Sequence, residues 1–452
     1  MFILEIVNKY WNGEPLKAIF NFTSPYEVST EPNDNGDFIR GLDFHFINNN
    51  ISVSPIGIVQ SSTANLEIFT SDDALNPTNL SSEYYEDLVN GVRVDLYIDR
   101  DKNDDWQPYG VWYVSSWNGG YSEGVNHINS ISLEDRLNSE FSVDMPRLEA
   151  RGNAKIGKLI KEVFEEIGLD ESEYIIDDDL DLSLTYAIGS GGKVRDFLNN
   201  ICTLLLAKIR VDLEGIIHIE NALNFNDYHN YVELSTDDLV SLSSTNTDNI
   251  NYNKLILSYL SSQDFSRAVI VDDIIDNLTV GENEFNFTSN NLILSIEQVR
   301  LDVLNSKCLI SDLITSGYQK EINLKIIVEG ESSTYARVYI EGILASSKIS
   351  YIEKEINTGT QRGGISYTLD LSQILSEEEA EEILLKLVDY VKIMSKKITL
   401  SGTILTSEIQ PGDKVIISGA NSYDGVYKVL NSDISYSSDY YHNLNLVRIE
   451  EV

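Results

Sequence analysis

The sequence predicts a mainly β fold with α+β modules: two small β-barrels, an inserted α/β module and a further β-rich domain. Two blocks of sequence support this prediction. Near the N-terminus, the aromatic segment 106–114 (WQPYGVWYV) is followed by residues 131–137 (ISLEDRL). Near the C-terminus, a capped helix leads into the turn 410–413 (QPGD), the segment 423–429 (YDGVYKV) and a closing strand. Apolar alternation interrupted by polar turns is typical of small antiparallel barrels.

Length and composition indicate several packed domains. A chain of 452 residues exceeds a single core, and domains of about 100–150 residues imply roughly three or four of them. The hydrophobic content of 42% is enough for packed cores, so the acidity does not indicate disorder. We predict four domains: a first barrel over 1–145, an α/β module over 146–225, a second barrel formed by 226–265 with 395–452, and a β-rich insert over 266–394 that ends in a helix.

The first predicted domain consists mostly of strands and turns. Residues 92–98 alternate between apolar and polar side chains, which is the period of a half-buried strand. The acidic turn 101–105 and the aromatic strand around Trp112 complete a β-hairpin. Segments rich in glycine, proline and asparagine are expected to separate further strands at 54–57 (SPIG) and 118–120 (NGG).

A helical pattern begins after Pro146. One face of residues 155–167 is apolar, with Asn153 as the expected N-cap and Gly168 as the residue that ends the helix. A second apolar helical face over 193–206 leads into a β-hairpin formed by residues 208–212 and 216–220. These elements predict a compact α/β module.

Strand patterns return from about residue 226. The clearest predicted strands are 252–259, 292–303, 322–328 and 336–343. The last helix, 377–394, begins with a capping box in which Ser376 and Glu379 satisfy each other's free amides. Its buried stripe is expected to contain Ile383, Leu384, Leu387, Val391 and Met394.

Two loops have partial similarity to ligand-binding motifs. Asp99, Asp101 and Asn103 have the spacing of a calcium loop, but Asp104 and Gly110 stand where the motif needs glycine and a bidentate glutamate. A solvated turn over Asp99–Asp105 is therefore favoured over weak calcium binding. Residues 189–193 (GSGGK) fit neither the Walker nor the dinucleotide pattern, because Val194 occupies a required position in both. This segment is interpreted as a flexible loop before a helix.

No catalytic or metal-binding constellation is predicted, and no cofactor. No two of the five histidines are spaced as metal ligands usually are. The five are His45, His127, His218, His229 and His442. His218 lies in an apolar strand, which favours a satisfied core position. Cys202 and Cys308 are interpreted as structural thiols of a reducing compartment, since a disulfide needs an oxidising one. Residues 106–117 contain a cluster of aromatic side chains whose alternation along a strand is more typical of core packing than of sugar stacking. They are Trp106, Tyr109, Trp112, Tyr113 and Trp117.

Charge and targeting signals narrow the class of protein. The net charge is −39, from 72 acidic and 33 basic residues spread along the chain. Such an excess of acid excludes a basic nucleic-acid-binding surface. No segment approaches the length of a membrane span. Residues 1–7 have no basic region and carry Glu5, so they are predicted to form a first β-strand rather than a signal peptide.

The order of these features resembles the baseplate hub proteins of phage tails and phage-tail-like particles, phage Mu hub-like proteins among them. The resemblance lies in three places: the aromatic strand 106–114 with 133–137 (LEDRL), the α/β module with its loop 186–192, and the helix 377–394 followed by 410–413 and the closing strands. Residues 266–375 match least well.

The resemblance implies a structural role without catalysis. Each subunit of the family contributes two similar tail-hub barrels, so a homotrimer presents a pseudo-sixfold ring. One face of the ring is expected to meet the sixfold tail tube or distal tail protein, and the other to seat a threefold central spike or tail-tip protein. A tape measure protein is a further expected partner. The implied location is the baseplate of a virion tail, assembled in the host cytoplasm.

The acidity acquires a mechanical interpretation in such a hub. Three chains would carry about −117, three times the −39 of one chain, around a channel that DNA crosses without specific binding. An acidic lining weakens the adhesion of phosphates to the wall, because few Lys or Arg residues are available to displace counterions. The alternative is that the acidic residues only coat the outside.

Two other functions remain open from the sequence. One is a hub-derived receptor-binding or cell-wall-contacting tail protein of a non-contractile tail. The absence of an appended hydrolase, collagen-like or fibre segment before Val452 disfavours it. The other is a secreted cell-surface adhesin, which the lack of a predicted signal peptide disfavours.

Overall fold

The computed structural model describes residues 15–33, 36–47, 61–71, 73–99, 103–122, 125–146, 151–180, 182–187, 193–222, 231–245, 252–303, 307–316, 321–329, 335–356, 365–395, 399–404, 409–436 and 440–450. Within these ranges the chain is mainly β, with four α-helices. The predicted fold class is therefore confirmed.

The first group of strands forms half of the largest sheet. Its members are β1 (Leu16–Phe20), β2 (Tyr26–Ser29), β3 (Phe38–Ile47), β4 (Thr63–Phe69), β5 (Arg93–Ile98), β6 (Gln107–Ser122) and β7 (Val125–Glu134). They are hydrogen-bonded in the order β2-β1-β5-β6-β7-β4-β3. Alternate residues point into a core that contains Tyr109 and Trp112, each 2% exposed. We call these strands the first module.

A short helix connects the first module to a group of mixed elements. The helix is α1 (Arg136–Glu140), and it is followed by β8 (Arg151–Lys155), α2 (Ile156–Glu166), β9 (Tyr174–Ile176), β10 (Ser183–Ala187), α3 (Val194–Leu205), β11 (Ala207–Val211) and β12 (Ile217–Asn221). β11 and β12 form an antiparallel hairpin, and β9 is parallel to β12. The apolar faces of α2 and α3 are buried with the hairpin in one core. The predicted helices and hairpin are thus confirmed.

Two strands then precede a long insertion: β13 (Tyr231–Leu234) and β14 (Leu239–Thr245). The insertion consists of β15 (Tyr252–Asp276), β16 (Gly281–Thr288), β17 (Leu292–Val303), β18 (Lys307–Ser316), β19 (Glu321–Glu329), β20 (Tyr335–Glu355), β21 (Ile365–Ile374) and α4 (Glu377–Ser395). Two sheets form here, ordered β17-β20-β15-β21 and β16-β19-β18. The second half of β15, the first half of β20 and the strands β16–β19 share a separate core. The helix α4 packs near the start of β15, in the core of the α/β elements.

The chain returns after the insertion to complete the largest sheet. The final strands are β22 (Thr399–Ile404), β23 (Lys414–Ile417), β24 (Gly425–Tyr436) and β25 (Tyr440–Glu450). With β13 and β14 they form a second module, hydrogen-bonded in the order β14-β22-β25-β24-β23-β13. This module has its own core, which includes Val415, Tyr427 and Leu446. β24 also pairs with β3, so both modules belong to one sheet of 13 strands.

Several local predictions are confirmed in detail. In the capping box of α4, the Ser376 amide donates to Glu379 Oε2 at 2.6 Å and the Glu379 amide donates to Ser376 Oγ at 3.2 Å. Gly168 follows α2 with a φ of +89°, and its amide donates to the carbonyl of Glu165. That positive φ explains the glycine at this position.

Two predictions were wrong, and a third element is longer than predicted. Asn153 does not cap α2, because it lies in β8 and Lys155 is the N-cap residue. Residues 118–120 do not separate strands but lie inside β6, which continues to Ser122. The strand predicted over 252–259 is confirmed and continues to Asp276, so residue 265, the predicted domain limit, lies inside β15. β15 pairs along its length with β20, and the ladder contains bulges at 262–264 and 269–271.

Some predicted features lie outside the described residues. These are the first strand over 1–7, the segment 54–57, most of the loop 186–192, Asp101 and His229.

Candidate assembly surface

The described residues contain no cluster of metal-ligating side chains. Within those ranges, no three or more His, Cys, Asp or Glu side chains are grouped so that they could hold a metal ion. Asp99 is buried, and its two carboxylate oxygens accept the amides of Asn103 at 3.2 Å and Asp104 at 2.8 Å. Because these oxygens cap the turn between β5 and β6, the geometry favours a hairpin turn over calcium binding.

The other candidate side chains have structural partners. Lys193 Nζ contacts Asp144 Oδ1 at 2.6 Å on the surface. His218 Nε2 lies 2.8 Å from Asp212 Oδ2, as expected for a satisfied core histidine. Burial raises the pKa of the Cys202 thiol to about 12, so this cysteine is an inert packing residue.

The aromatic cluster builds the first module. Tyr109 and Trp112 lie in its core, and Trp117 packs against Phe20 with ring centroids 5.8 Å apart. Lys17 Nζ lies 4.6 Å from the ring centroid of Trp106. These contacts support core packing rather than a sugar platform.

In the described part of the chain, no helix is both long and apolar enough to cross a membrane.

The two modules repeat one arrangement of strands. The first runs β3-β4-β7-β6-β5-β1 and the second β14-β22-β25-β24-β23-β13, so six of the seven strands of the first module have a counterpart in the second, and β2 has none. Neighbours along both orders are antiparallel, with one exception: β13 is parallel to β23, whereas β1 is antiparallel to β5. The repetition therefore covers five strands in position and direction and a sixth in position only.

Irregularities of the ladders also fall at equivalent places. β6 has a bulge at residues 114–116 against β7, and β24 has one at residues 429–431 against β25. β3 has a bulge at residues 39–41 against β4, and β14 has one at residues 239–241 against β22. Bulges re-aim a strand and increase its twist, so matching bulges give both modules the same local curvature.

The turns that enter the paired strands match as well. The Gly91 amide donates to the Val114 carbonyl at 2.7 Å, and the Gly412 amide donates to the Val429 carbonyl at 2.9 Å. Both glycines have positive φ, +88° and +98°. A sequence signal for this equivalence existed, because residues 110–114 (GVWYV) and 425–429 (GVYKV) share a Gly-Val-aromatic-x-Val pattern. Sequence reasoning used each segment alone and did not align the two.

The modules meet edge to edge. Residues 42–47 of β3 pair antiparallel with residues 431–436 of β24. Ile434 of β24 is 3% exposed and packs in the core of the first module. The junction is therefore a continuous ladder that is fixed by a buried side chain from the other module.

The LEDRL segment joins the first module to the α/β elements. Asp135 caps α1: its Oδ1 accepts the Leu137 amide at 3.1 Å, and its Oδ2 accepts the Ser62 amide at 2.6 Å, at the start of β4. The next residue, Arg136, contacts the α/β elements: it donates to the carbonyl of Gly215 at 2.8 Å and pairs with Glu173 at 2.8 Å. Two adjacent side chains thus bind the start of β4 in the first module on one side and Glu173 and the β11–β12 turn on the other.

The buried cap makes stability depend on pH. Burial raises the pKa of Asp135 to about 7, against 3.8 for an exposed carboxyl. Above pH 7 the ionised form is present in both the folded and unfolded states, and its burial costs stability. As the pH falls from about 7 to about 4, the folded state takes up the proton first. We therefore expect wild-type stability, measured relative to Asp135→Asn, to rise by ~2–4 kcal/mol over this window.

The measurement is urea unfolding of both proteins at several pH values. All four tryptophans lie within residues 1–117, so tryptophan fluorescence reports on the N-terminal part of the chain. A difference between the two proteins that stays constant from pH 4 to 8 would show that Asp135 titrates like an exposed carboxyl.

Comparison with known proteins identifies the fold. No protein-family model matches the sequence, and no curated protein matches it. Among solved structures, a tail protein from Neisseria meningitidis MC58 aligns over 96% of this chain and 97% of its own, with 10% identity and a TM-score of 0.53. The 43 kDa tail protein of prophage MuSo2 from Shewanella oneidensis aligns over 96% of this chain and 98% of its own, with 9% identity and a TM-score of 0.51. The chain has the fold of these tail proteins, as its sequence resemblance to phage-tail hub proteins predicted.

Proposed function

We propose that this protein is a structural baseplate hub of a phage tail or tail-like particle. In this proposal it forms a homotrimer around a central channel, and it joins a sixfold tail tube or distal tail ring to a threefold central spike. It acts through its surfaces and not through catalysis.

One observation carries the proposal: a single chain contains the same strand arrangement twice, joined edge to edge through β3 and β24. A protein that must match both a threefold and a sixfold partner needs two similar surfaces in each of three subunits. Closed rings of identical subunits arise when one surface of a copy binds a different surface of the next. The shared fold with tail proteins supports the same role.

The strand pairing supports a proposal for the domain organisation. We propose a first barrel built on β1–β7, an α/β module that begins at α1, and a second barrel formed by β13 and β14 with β22–β25. The insertion between β14 and β22, including β15–β21 and α4, forms a separate unit. This differs from the division predicted from sequence, in which residues 252–265 belonged to the second barrel.

Light scattering of the purified protein tests the proposal. We expect a particle of three times the 50.9 kDa chain mass. We further expect stable complexes with a tube or distal tail protein and with a spike protein of the same tail. A monomer that binds neither would contradict the hub function. Binding to glycans or digestion of peptidoglycan by the same sample would instead indicate a receptor-binding or wall-contacting tail protein.

A further inference from the structure

The repeat within the chain points to the surface through which copies meet. Inside one chain, the edge of β3 pairs with the second half of β24. The counterpart of β3 in the second module is β14, and the counterpart of β24 in the first module is β6. If the junction is used again, β14 of one copy pairs with the second half of β6 of another.

Both strands occupy positions that leave an edge for such a contact. β14 lies at the end of the 13-strand order, next to β22. β5 pairs with β6 only as far as Tyr113, while residues 116–122 pair with β7 on the opposite side. β24 has the same geometry, because β23 pairs with it only as far as Lys428 and β3 then takes that side from residue 431. In the described part of the chain, no strand takes the equivalent side of residues 116–122.

The charge pattern supports the same two edges. Neither residues 116–122 (SWNGGYS) nor β14 (LVSLSST) contains a charged side chain, in a chain in which 23% of residues are charged. Edge strands usually carry charges that prevent pairing between molecules. The outer strands β16, β17, β18 and β21 each carry at least one, whereas the short outer strands β9 and β10 carry none. Two strongly acidic subunits can approach most closely where no carboxylates face each other.

We infer that β14 of one subunit pairs antiparallel with the second half of β6 of a neighbouring copy, in the register of the β3–β24 junction. Leu242 is then opposite Tyr121, Ser244 opposite Gly119, and Thr245 opposite Asn118. Three copies close a ring that contains six equivalent junctions, three within chains and three between them. The inference rests on the proposed trimer and names the surfaces that build it.

Disulfide cross-linking tests the register. Directly opposite Cα atoms in an antiparallel ladder are about 4.5–5.5 Å apart, which a disulfide spans, whereas positions shifted by two residues are about 7–8 Å apart. We expect the double variant Asn118→Cys with Thr245→Cys to give disulfide-linked dimers and trimers on mild oxidation. The shifted pair Ser116→Cys with Thr245→Cys, and each single variant, should give no more than the wild type.

A matched pair inside the chain checks the geometry. His45→Cys with Asp433→Cys places cysteines at the equivalent positions of β3 and β24, so it should form a bond within one chain and leave a monomer on a denaturing gel. Light scattering of the same variants separates two failures. A trimer that does not cross-link through Asn118→Cys and Thr245→Cys overturns this pairing and leaves the trimer standing. A monomer without cross-links overturns both the pairing and the hub function.

Discussion

Replacing Glu220 with alanine is expected to destabilise the protein by about 3–5 kcal/mol. Glu220 lies on β12, where its Oε2 is 2.9 Å from Lys208 Nζ and its Oε1 is 2.7 Å from Arg210 Nη2. All three side chains are 11% exposed or less. Alanine leaves two buried cations side by side without their shared anion. The desolvation cost of both charges then remains, while their main attractive partner is lost.

The measurement is a urea unfolding curve monitored by far-ultraviolet circular dichroism. Glu382→Ala is the matched surface control, because Glu382 pairs with Lys386 at 2.9 Å but both side chains are about half exposed. Exposed helix pairs contribute about 0.3–0.5 kcal/mol, so this variant should remain close to the wild type. A loss below 1 kcal/mol for Glu220→Ala would contradict the proposed importance of the buried cluster.

A neutral replacement separates the loss of a partner from the value of the cluster itself. The triple variant Lys208→Met, Arg210→Met and Glu220→Leu removes all three charges and keeps similar volumes. Apolar substitution of a whole buried ion cluster is often neutral or stabilising. We therefore expect the triple variant to be more stable than Glu220→Ala. If the two variants are equally unstable, packing rather than unpaired charge explains the loss.

Local features of the fold could be predicted because they depend on neighbouring residues. The alternation in 92–98 gives β5, and Val94, Leu96 and Ile98 are buried as that pattern requires. The capping box at Ser376 and the glycine at 168 mark helix ends through hydrogen bonds within one turn. Such signals do not depend on what the element later packs against.

Features that depend on distant pairing could not be predicted. β15 passes through Ser261, Ser262 and Asp264, a polar stretch that is typical of a turn. It remains a strand because β20 pairs with it on one side throughout, and a bulge absorbs the irregular residue. Asn153 is a second example. It lies in β8, and the pairing of β8 with β10 overrides the preference of asparagine for a helix cap.

The two edges proposed for assembly, β14 and residues 116–122 of β6, were not predicted from the sequence for a related reason. They are identified by the register of strand pairing, which relates residues that are far apart in the sequence. Leu42 and Leu242 occupy equivalent places in β3 and β14, but the surrounding sequences FIRGL and LVSL share little beyond apolar alternation. The same holds for Glu220: among 72 acidic residues, only the fold distinguishes the few that are buried.

Gly110→Ala is expected to destabilise the first module by about 3–5 kcal/mol. Gly110 has a φ of +133°, which side-chain-bearing residues rarely adopt. A Cβ atom placed on it would lie 2.2 Å from Nε1 of the buried Trp112. The glycine follows an irregularity in the β5–β6 ladder, where Leu96 pairs with Gly110 and Tyr97 with Pro108. Alanine therefore strains the backbone and displaces the largest side chain of the core.

Gly425 provides the matched control, because it is the counterpart of Gly110 in the second module. Its φ is not positive, and an added Cβ would meet the guanidinium of Arg448 at 2.9 Å, the far end of a long side chain. Gly425→Ala should therefore cost only about 1 kcal/mol. Urea unfolding monitored by far-ultraviolet circular dichroism reports on both modules, so it should show a large loss for the Gly110 variant and a small one for the Gly425 variant. Equal losses would mean that the two modules are tolerant to the same degree, and that the bulge at Gly110 imposes no special requirement. A large loss confined to Gly110→Ala would show that the irregularity in the β5–β6 ladder gives the first module a strained position that the second does not have.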